Sequence, residues 1–200
     1  SCSQYAGTSG ENSADFYTWW PDTPGTVSAV EFEWSPGRSR KGEYLENRSA
    51  FDIAFILDMG NGEKGVVGIE TKYHEHAARM KQSSDDRMNR YRLVAEESGV
   101  LDGDTVGTIV GTDLQQIWLD HLLALSMPMH PTGGWTWARF VVVYPEANPS
   151  FRRAAHEYRE LLENTETFAV ATVESLLDAR VLPQDLTTRF RERYLWGADL

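Results

Sequence analysis

The feature that most constrains the fold is a glutamate and a lysine placed two residues apart in an apolar segment that favours a β-strand. Glu70 and Lys72 lie within 66–73, where most of the other residues are β-branched or aromatic. Alternate residues of a strand share a face, so both charged side chains project to the same side. The opposite face then carries Val67, Ile69, Thr71 and Tyr73. Because buried charges are costly unless paired or bound to an ion, this segment predicts a strand with a specialised charged face.

A second apolar run, 50–57, predicts the partner of this strand. The sequence Gly60-Asn61-Gly62, within 59–65, separates the two runs and is typical of a tight hairpin turn. Asp52 lies near the start of the first strand, so a hairpin would bring it into the region of the charged pair. Gly68 lies one alternation before that pair, and we expect it to leave this face open.

The rest of the chain alternates between strand and helix patterns. Strands are predicted over 27–34, 50–57, 66–73, 139–144 and 168–173, with a short strand or extended segment over 105–110. Helices are predicted over 85–98, 113–125 and 151–162, with a short helix after Ser13 and two short helices at the end. This order indicates an α/β domain with helices on a mixed sheet. A chain of 200 residues, 41% of them hydrophobic, fits a single domain over 1–200 and excludes a disordered protein or a coiled coil.

Net charge restricts the partners that the chain can bind. Thirty acidic and nineteen basic residues give a formal charge of −11. Such a field repels phosphate, so nucleic-acid binding would need a local basic patch or divalent cations. Basic residues flank the charged pair on both sides, although each alone is more simply a solvated surface residue: Arg38, Arg40, Lys41, Arg48, Arg79, Lys81, Arg87, Arg90 and Arg92.

Two carboxylates and a lysine suit metal-assisted hydrolysis of a phosphodiester. The carboxylates of Asp52 and Glu70 are oxygen ligands of the kind that Mg²⁺ prefers, and the carbonyl of Thr71 could add another. The ion polarises the phosphate and lowers the pKa of a bound water. The ammonium of Lys72 can orient that water or stabilise developing negative charge. The plainer alternative is a structural ion pair with a bystander acid.

The spacing of these residues resembles a known family. Asp52, followed after seventeen residues by Glu70-Thr71-Lys72, resembles the signature of the PD-(D/E)XK nuclease superfamily, although Phe51 stands where the signature has Pro. The run 68–75 resembles a bacterial branch in which the ExK strand continues into a tyrosine and an acid. Residues 116–124 resemble the later helix of that branch, which often contributes a glutamine, here Gln116. The branch tends to carry an arginine where Leu119 stands, so a phosphate contact is lost there.

The resemblance implies a restriction-endonuclease-like, three-layer α/β/α fold with a central mixed sheet. Its core would span about 27–144, with 145–200 as a C-terminal extension. It implies a Mg²⁺-dependent endodeoxyribonuclease, with Mn²⁺ able to substitute, in which Asp52, Glu70 and Thr71 hold the metal. Lys72 would act on the attacking water and Gln116 would assist. The partner would be DNA, and cutting both strands would need two sites, as in a homodimer.

Several alternatives remain open at the level of sequence. The fold could persist without catalysis, as a module that binds protein or nucleic acid. An upstream carboxylate often joins the metal site in this fold, and among Glu31, Glu33 and Glu46 we favour Glu33. Gln115 is most simply a helix-capping residue through a capping box with Thr112.

Histidines and tryptophans offer further alternatives. His74-Glu75-His76 suggests zinc, but no partner pair of Cys or His occurs elsewhere. Glu75 is more simply a solvated acid at a strand end, and His121 a core histidine. Trp135 and Trp137 could stack on bases, although burial is the simpler role.

Two features bear on location. No apolar run approaches the length of a membrane span, about 20 residues, so we expect no membrane insertion. The single cysteine, Cys2, cannot form an internal disulfide, which fits a reducing cytoplasm.

Overall fold

The computed structural model describes residues 12–37, 43–45, 47, 49–79 and 84–195, with side chains from Phe16 onward. In chain order the elements are α1 (Asn12–Trp19), β1 (Thr26–Trp34), β2 (Phe51–Gly60), β3 (Glu63–Thr71), α2 (Asp85–Glu97), α3 (Gly103–Ile109), α4 (Gln115–Ser126), β4 (Trp135–Tyr144), α5 (Pro149–Glu160), β5 (Phe168–Thr172), α6 (Val173–Asp178) and α7 (Gln184–Tyr194).

The five strands form one mixed sheet in the order β1-β2-β3-β4-β5. β1, β2 and β3 are joined by antiparallel pairings, and the predicted hairpin turn lies between Gly60 and Glu63. β4 runs parallel to β3, and β5 runs parallel to β4. Parallel neighbours need a crossover connection, which α2–α4 provide for the first pair and α5 for the second.

Helices cover both faces of the sheet, which confirms the predicted three-layer α/β/α fold. On one face α2, α3, α4 and α5 bury their apolar side chains against alternate residues of the strands, for example Ala54, Val66 and Phe140. On the other face α1 and α6 contribute Phe16 and Val173, among others, to a second cluster. The predicted N-terminal helix is present as α1, and its aromatic residue Phe16 packs on the sheet.

One predicted strand is wrong. Residues 105–110 lie mostly in helix α3, whose first turn is capped by Asp102, which accepts a hydrogen bond from the Thr105 amide at 2.7 Å. The side-chain cap stabilises the helix start locally. Its two apolar residues, Val106 and Ile109, point together into the core at helical rather than strand spacing.

Two smaller expectations also need correction. The capping box of Thr112 with Gln115 does not form, because Gln115 Oε1 accepts from the Gly111 amide at 2.7 Å instead. The face of β3 at Gly68 is not open either. An added Cβ would lie 2.5 Å from the Phe51 ring, which fills this space.

The segment 145–200 contributes to the same sheet through β5, whose Phe168 pairs with Phe140 of β4. The division of the chain into a core and an extension stays a prediction. Within the described residues, none of the helices has the length and apolar character needed to cross a membrane.

Candidate active site

Strand register places the two acids of the predicted motif next to each other. The antiparallel ladder of β2 and β3 ends with the pair Ile53–Ile69, and Asp52 and Glu70 are the next residue of each strand beyond it. The charge of Asp52 contributes to the raised pKa of Glu70, so the two acids are near each other. Both positions lie on the sheet face covered by α4, because the neighbouring alternate residue Ala54 packs into that cluster. The hairpin therefore does bring Asp52 to Glu70, as expected from the sequence.

A third acid lies in the same row on β1. Phe32 pairs with Ile53 and Trp34 pairs with Phe51, so Glu33, between them, is level with Asp52. Glu33 is exposed and has a left-handed backbone with φ +48°. Its charge is close enough to contribute to the raised pKa of the Glu70 carboxyl. We call Glu33, Asp52 and Glu70 the acidic row.

Thr71 fixes the carboxylate of Asp52. Asp52 Oδ2 accepts two hydrogen bonds from this residue, one from the backbone amide at 2.7 Å and one from the hydroxyl at 2.6 Å. Hydrogen bonds to an ionised acceptor are stronger than those between neutral groups. Asp52 is half-buried, and its other carboxylate oxygen, Oδ1, takes no part in these two hydrogen bonds.

Glu70 and Lys72 form the buried ion pair of the site. Lys72 Nζ donates to Glu70 Oε1 at 2.6 Å, and each residue is only 8% exposed. Burial raises the pKa of Glu70, against the lowering effect of Lys72, and the charges of Asp52 and Glu33 raise it further. For Lys72, burial lowers the pKa, but the bond to Glu70 and the surrounding acids outweigh this and leave it raised. The lysine is therefore a cation at neutral pH.

The structure adds an acid that sequence reasoning missed. Asp120, on α4, is 7% exposed, and its Oδ2 is buried with no hydrogen-bond partner among the described residues. Burial raises its pKa well above the usual value, Glu70 and Asp52 raise it further, and Lys72 lowers it. Asp120 thus faces the charged pair from the helix layer. The available signal was an acid within the mostly apolar run 117–125, four residues after Gln116.

Gln116 lies one helical turn before Asp120 and so on the same side of α4. It is half-buried and makes no hydrogen bond to Asp52, Glu70 or Lys72. The structure therefore places Gln116 near the site without joining it to the other three candidates. Leu119, where an arginine was expected, is 7% exposed and belongs to the core.

His121 is a core residue, as expected. Its ring nitrogens lie 2.9 Å from Tyr158 Oη and 3.0 Å from Thr167 Oγ1, so both are satisfied. Burial lowers its pKa to about 3, which keeps the imidazole neutral. Trp135 is also buried and donates its indole N–H to Tyr44 Oη at 3.2 Å. Trp137 is half-buried, with the Arg139 guanidinium 5.2 Å from its ring centre.

The predicted basic residues divide into three groups. Arg79, Arg87 and Arg92 are exposed. Arg90 is half-buried and donates from Nε to the Tyr44 carbonyl at 2.9 Å, so it has a structural role. Several residues named from the sequence lie outside the described part of the chain: Cys2, Arg38, Arg40, Lys41, Glu46, Arg48 and Lys81.

The donor chemistry of the site fits a hard divalent cation. Asp52 and Glu70 supply carboxylate oxygens, and the described bonds occupy only one oxygen of each. Asp120 adds a buried oxygen without a partner. In the parts of the chain that the structure describes, no group of three or more His, Cys, Asp or Glu side chains is arranged to hold a metal ion. His74, Glu75 and His76, considered for zinc, are all exposed.

Comparison with known proteins agrees with this geometry. A model of the PD-(D/E)XK nuclease superfamily matches residues 11–196, which include the twelve helices and strands found in the described residues. No curated protein and no solved structure matches the chain. The superfamily predicted from Asp52, Glu70 and Lys72 is confirmed, and the finer resemblance to a bacterial branch stays a prediction.

Proposed function

Because the chain belongs to the PD-(D/E)XK nuclease superfamily, we propose that it is a metal-dependent nuclease that hydrolyses DNA phosphodiester bonds. One observation carries the proposal: Asp52 and Glu70 lie on neighbouring strands, and Lys72, directly after the end of β3, is bonded to Glu70. Two acids with one buried ammonium are a costly arrangement for a purely structural role. They are the groups that metal-assisted phosphodiester hydrolysis requires.

Asp52, Glu70 and the Thr71 carbonyl would hold the metal, with Mg²⁺ as the ion and Mn²⁺ as a substitute. When bound, the ion would polarise the phosphate and lower the pKa of a water. Glu33 is the upstream carboxylate we favour for the same site, since it is level with Asp52 in the sheet. Thr71 would act on Asp52 as well, because its two hydrogen bonds hold the carboxylate in one orientation.

Lys72 would orient the attacking water and stabilise the negative charge that develops on the phosphate. This role needs the charged form of the amine, and the raised pKa of Lys72 keeps it protonated at neutral pH. Gln116 would assist from α4, on the same side of the helix as Asp120.

DNA is the proposed substrate despite the net charge of −11. A bound divalent cation and the exposed arginines Arg79, Arg87 and Arg92 would offset the repulsion locally. Cleavage of both strands would need two sites, so we propose a homodimer for that activity. We also propose a cytoplasmic location, on the single cysteine.

The experiment is cleavage of supercoiled and linear DNA with Mg²⁺ or Mn²⁺, comparing the wild type with Glu70→Ala and Lys72→Ala. Matched controls are Glu63→Ala and Lys64→Ala, which change an exposed acid and an exposed lysine of the same strand. We expect metal-dependent cleavage that both site variants lose and both controls keep. Cleavage that persists in the two site variants would show that the assigned residues are wrong.

An inactive module with the same fold is the alternative, and the net charge favours it. Thermal unfolding with added Ca²⁺ or Mn²⁺ separates the two. A cation that binds the folded chain raises its midpoint temperature. A wild type that neither cleaves DNA nor responds to either cation would establish the inactive module.

A further inference from the structure

Asp120 has a buried side-chain oxygen without a hydrogen-bond partner. This atom, Oδ2, is shielded from solvent and has no partner among the described residues. Asp120 lies on α4, the helix that packs over the sheet. A buried, unsatisfied carboxylate oxygen is strongly unfavourable. Such an atom persists in a fold most readily where a second state of the site supplies its partner.

The ammonium of Lys72 could pair with Asp120, but it is already bonded to Glu70. Lys72 interacts electrostatically with Asp120, but its Nζ donates to Glu70 Oε1 at 2.6 Å. Asp52, Glu70 and Asp120 are three acids around the single ammonium of Lys72, and Glu33 adds a fourth. The site therefore has more acidic groups than its one lysine can pair with, and a divalent cation would reduce this imbalance.

We propose that Asp120 is a positioning residue for Lys72. When the carboxylate of Glu70 binds a divalent cation, Asp120 accepts a hydrogen bond from the Lys72 ammonium instead. This inference rests on the proposed function, since it assumes that Asp52 and Glu70 receive the cation. Asp120 itself contacts neither cation nor substrate in this scheme and acts through Lys72.

Three features favour an exchange of partners over a fixed arrangement. A divalent cation on Oε2 of Glu70, the oxygen that Lys72 does not contact, would repel the ammonium on Oε1 and so weaken the ion pair. Lysine has a flexible four-carbon stem that can move its charge between neighbouring acceptors. The buried oxygen of Asp120 then gains a donor in the same step in which Glu70 Oε1 loses one.

The test is a double-mutant cycle on Ca²⁺ affinity, measured by calorimetry without DNA. The four proteins are the wild type, Asp120→Asn, Lys72→Met and the double variant. We expect Asp120→Asn to weaken Ca²⁺ binding about tenfold when Lys72 is present and by less than about twofold when it is Met, a coupling typical of residues in one network. DNA cleavage by Asp120→Asn should fall along with Ca²⁺ affinity.

A spectroscopic readout follows the ammonium directly. The Lys72 ¹⁵Nζ NMR signal should shift when Ca²⁺ is added to the wild type and should shift much less in Asp120→Asn. Asp113→Asn is the matched control: Asp113 lies just before α4 and pairs with Arg153 at 3.0 Å, and its variant should behave as wild type in both measurements. Asp120→Ser repeats the cycle, and thermal unfolding in EDTA checks that each variant is folded.

The outcomes separate this inference from the proposed function. Equal weakening by Asp120→Asn with and without Lys72 would make Asp120 a direct cation ligand, and no weakening in either would make it a bystander. Both results overturn the positioning role while leaving the nuclease intact. A wild type that neither binds Ca²⁺ nor cleaves DNA would overturn both proposals together.

Discussion

Asp52 Oδ2 accepts both the backbone amide and the hydroxyl of Thr71, at 2.7 and 2.6 Å, across the β2–β3 hairpin. Two donors from one residue fix the plane of the carboxylate as well as its position. Asp52 is therefore held by Thr71, the residue between Glu70 and Lys72 in the sequence.

Thr71→Val removes one of these two hydrogen bonds with little change in shape. Loss of a hydrogen bond to a carboxylate should lower the free energy of unfolding by about 1.5–3 kcal/mol, as measured by urea denaturation. DNA cleavage should fall as well, because the carboxylate loses one of its two restraints. Thr108→Val, which changes an exposed hydroxyl bonded to the Thr105 carbonyl, should leave cleavage unchanged. A variant as stable and active as wild type would contradict this role.

Glu33→Gln tests the outer member of the acidic row. Removing its negative charge should weaken Ca²⁺ or Mn²⁺ binding severalfold, about three- to tenfold in calorimetry, because the charge lies close to Glu70. Glu31→Gln is the control, because Glu31 pairs with Ala54 and so lies two residues along the strand from Glu33. Equal losses in both variants would show a general effect of net charge.

Gly68→Ala tests the close approach of Phe51. The added methyl group would lie 2.5 Å from the Phe51 ring, which is fully buried, so the ring or the strand must shift. Overpacking of this kind should cost about 1–3 kcal/mol in the free energy of unfolding. Gly107→Ala has open space around it in α3 and should stabilise the protein by up to about 1 kcal/mol. A stable Gly68→Ala protein would show that the ring has room to move.

The neutral imidazole of His121 predicts a pH dependence of stability. Its folded pKa is lowered to about 3 from 6.5, so the unfolded chain binds a proton that the folded chain does not. The contribution of the neutral imidazole to the free energy of unfolding is fully present above pH 6.5. It is lost as the pH falls toward 3. Between these values it should decline by about 1.4 kcal/mol for each pH unit.

The measurement compares wild type with His121→Gln in urea denaturation from pH 7 to pH 4. Other buried acids contribute slopes of their own, and the difference between the two proteins isolates the histidine. The stability advantage of the wild type should shrink as the pH falls. An advantage that stays constant over this range would refute the lowered pKa.

The motif-bearing hairpin was predictable because its determinants are local. Alternation of side chains along β3 and the Gly60-Asn61-Gly62 turn fix which residues face together, and both can be read from neighbouring positions. The position of Asp120, on the helix layer that covers the sheet, was harder to predict from the sequence. Asp120 sits among apolar residues of α4, and only the packing of that helix shows that it faces Lys72 rather than solvent.

The two wrong expectations, for residues 105–110 and for Gly68, also concern contacts that local sequence patterns do not specify. Residues 105–110 contain apolar and β-branched positions that fit a short strand, but the Asp102 cap and core packing favour a helix. Gly68 was expected to leave an opening because alternation specifies a face and not its contents. Phe51, seventeen positions earlier and across the hairpin, fills that space. Contacts between separated segments decide such details.

The connectivity of the sheet has a consequence for how the chain acquires its chemistry during folding. The meander of β1, β2 and β3 collects the acidic row from adjacent segments, whereas α4 arrives with the long crossover that precedes β4. Local pairings form sooner than those that close a long loop. Until α4 docks, we expect Glu70 and Lys72 to lie in water. The raised pKa that burial gives the Glu70 carboxyl would then arise late in folding, and a partly folded chain with an intact hairpin would lack it.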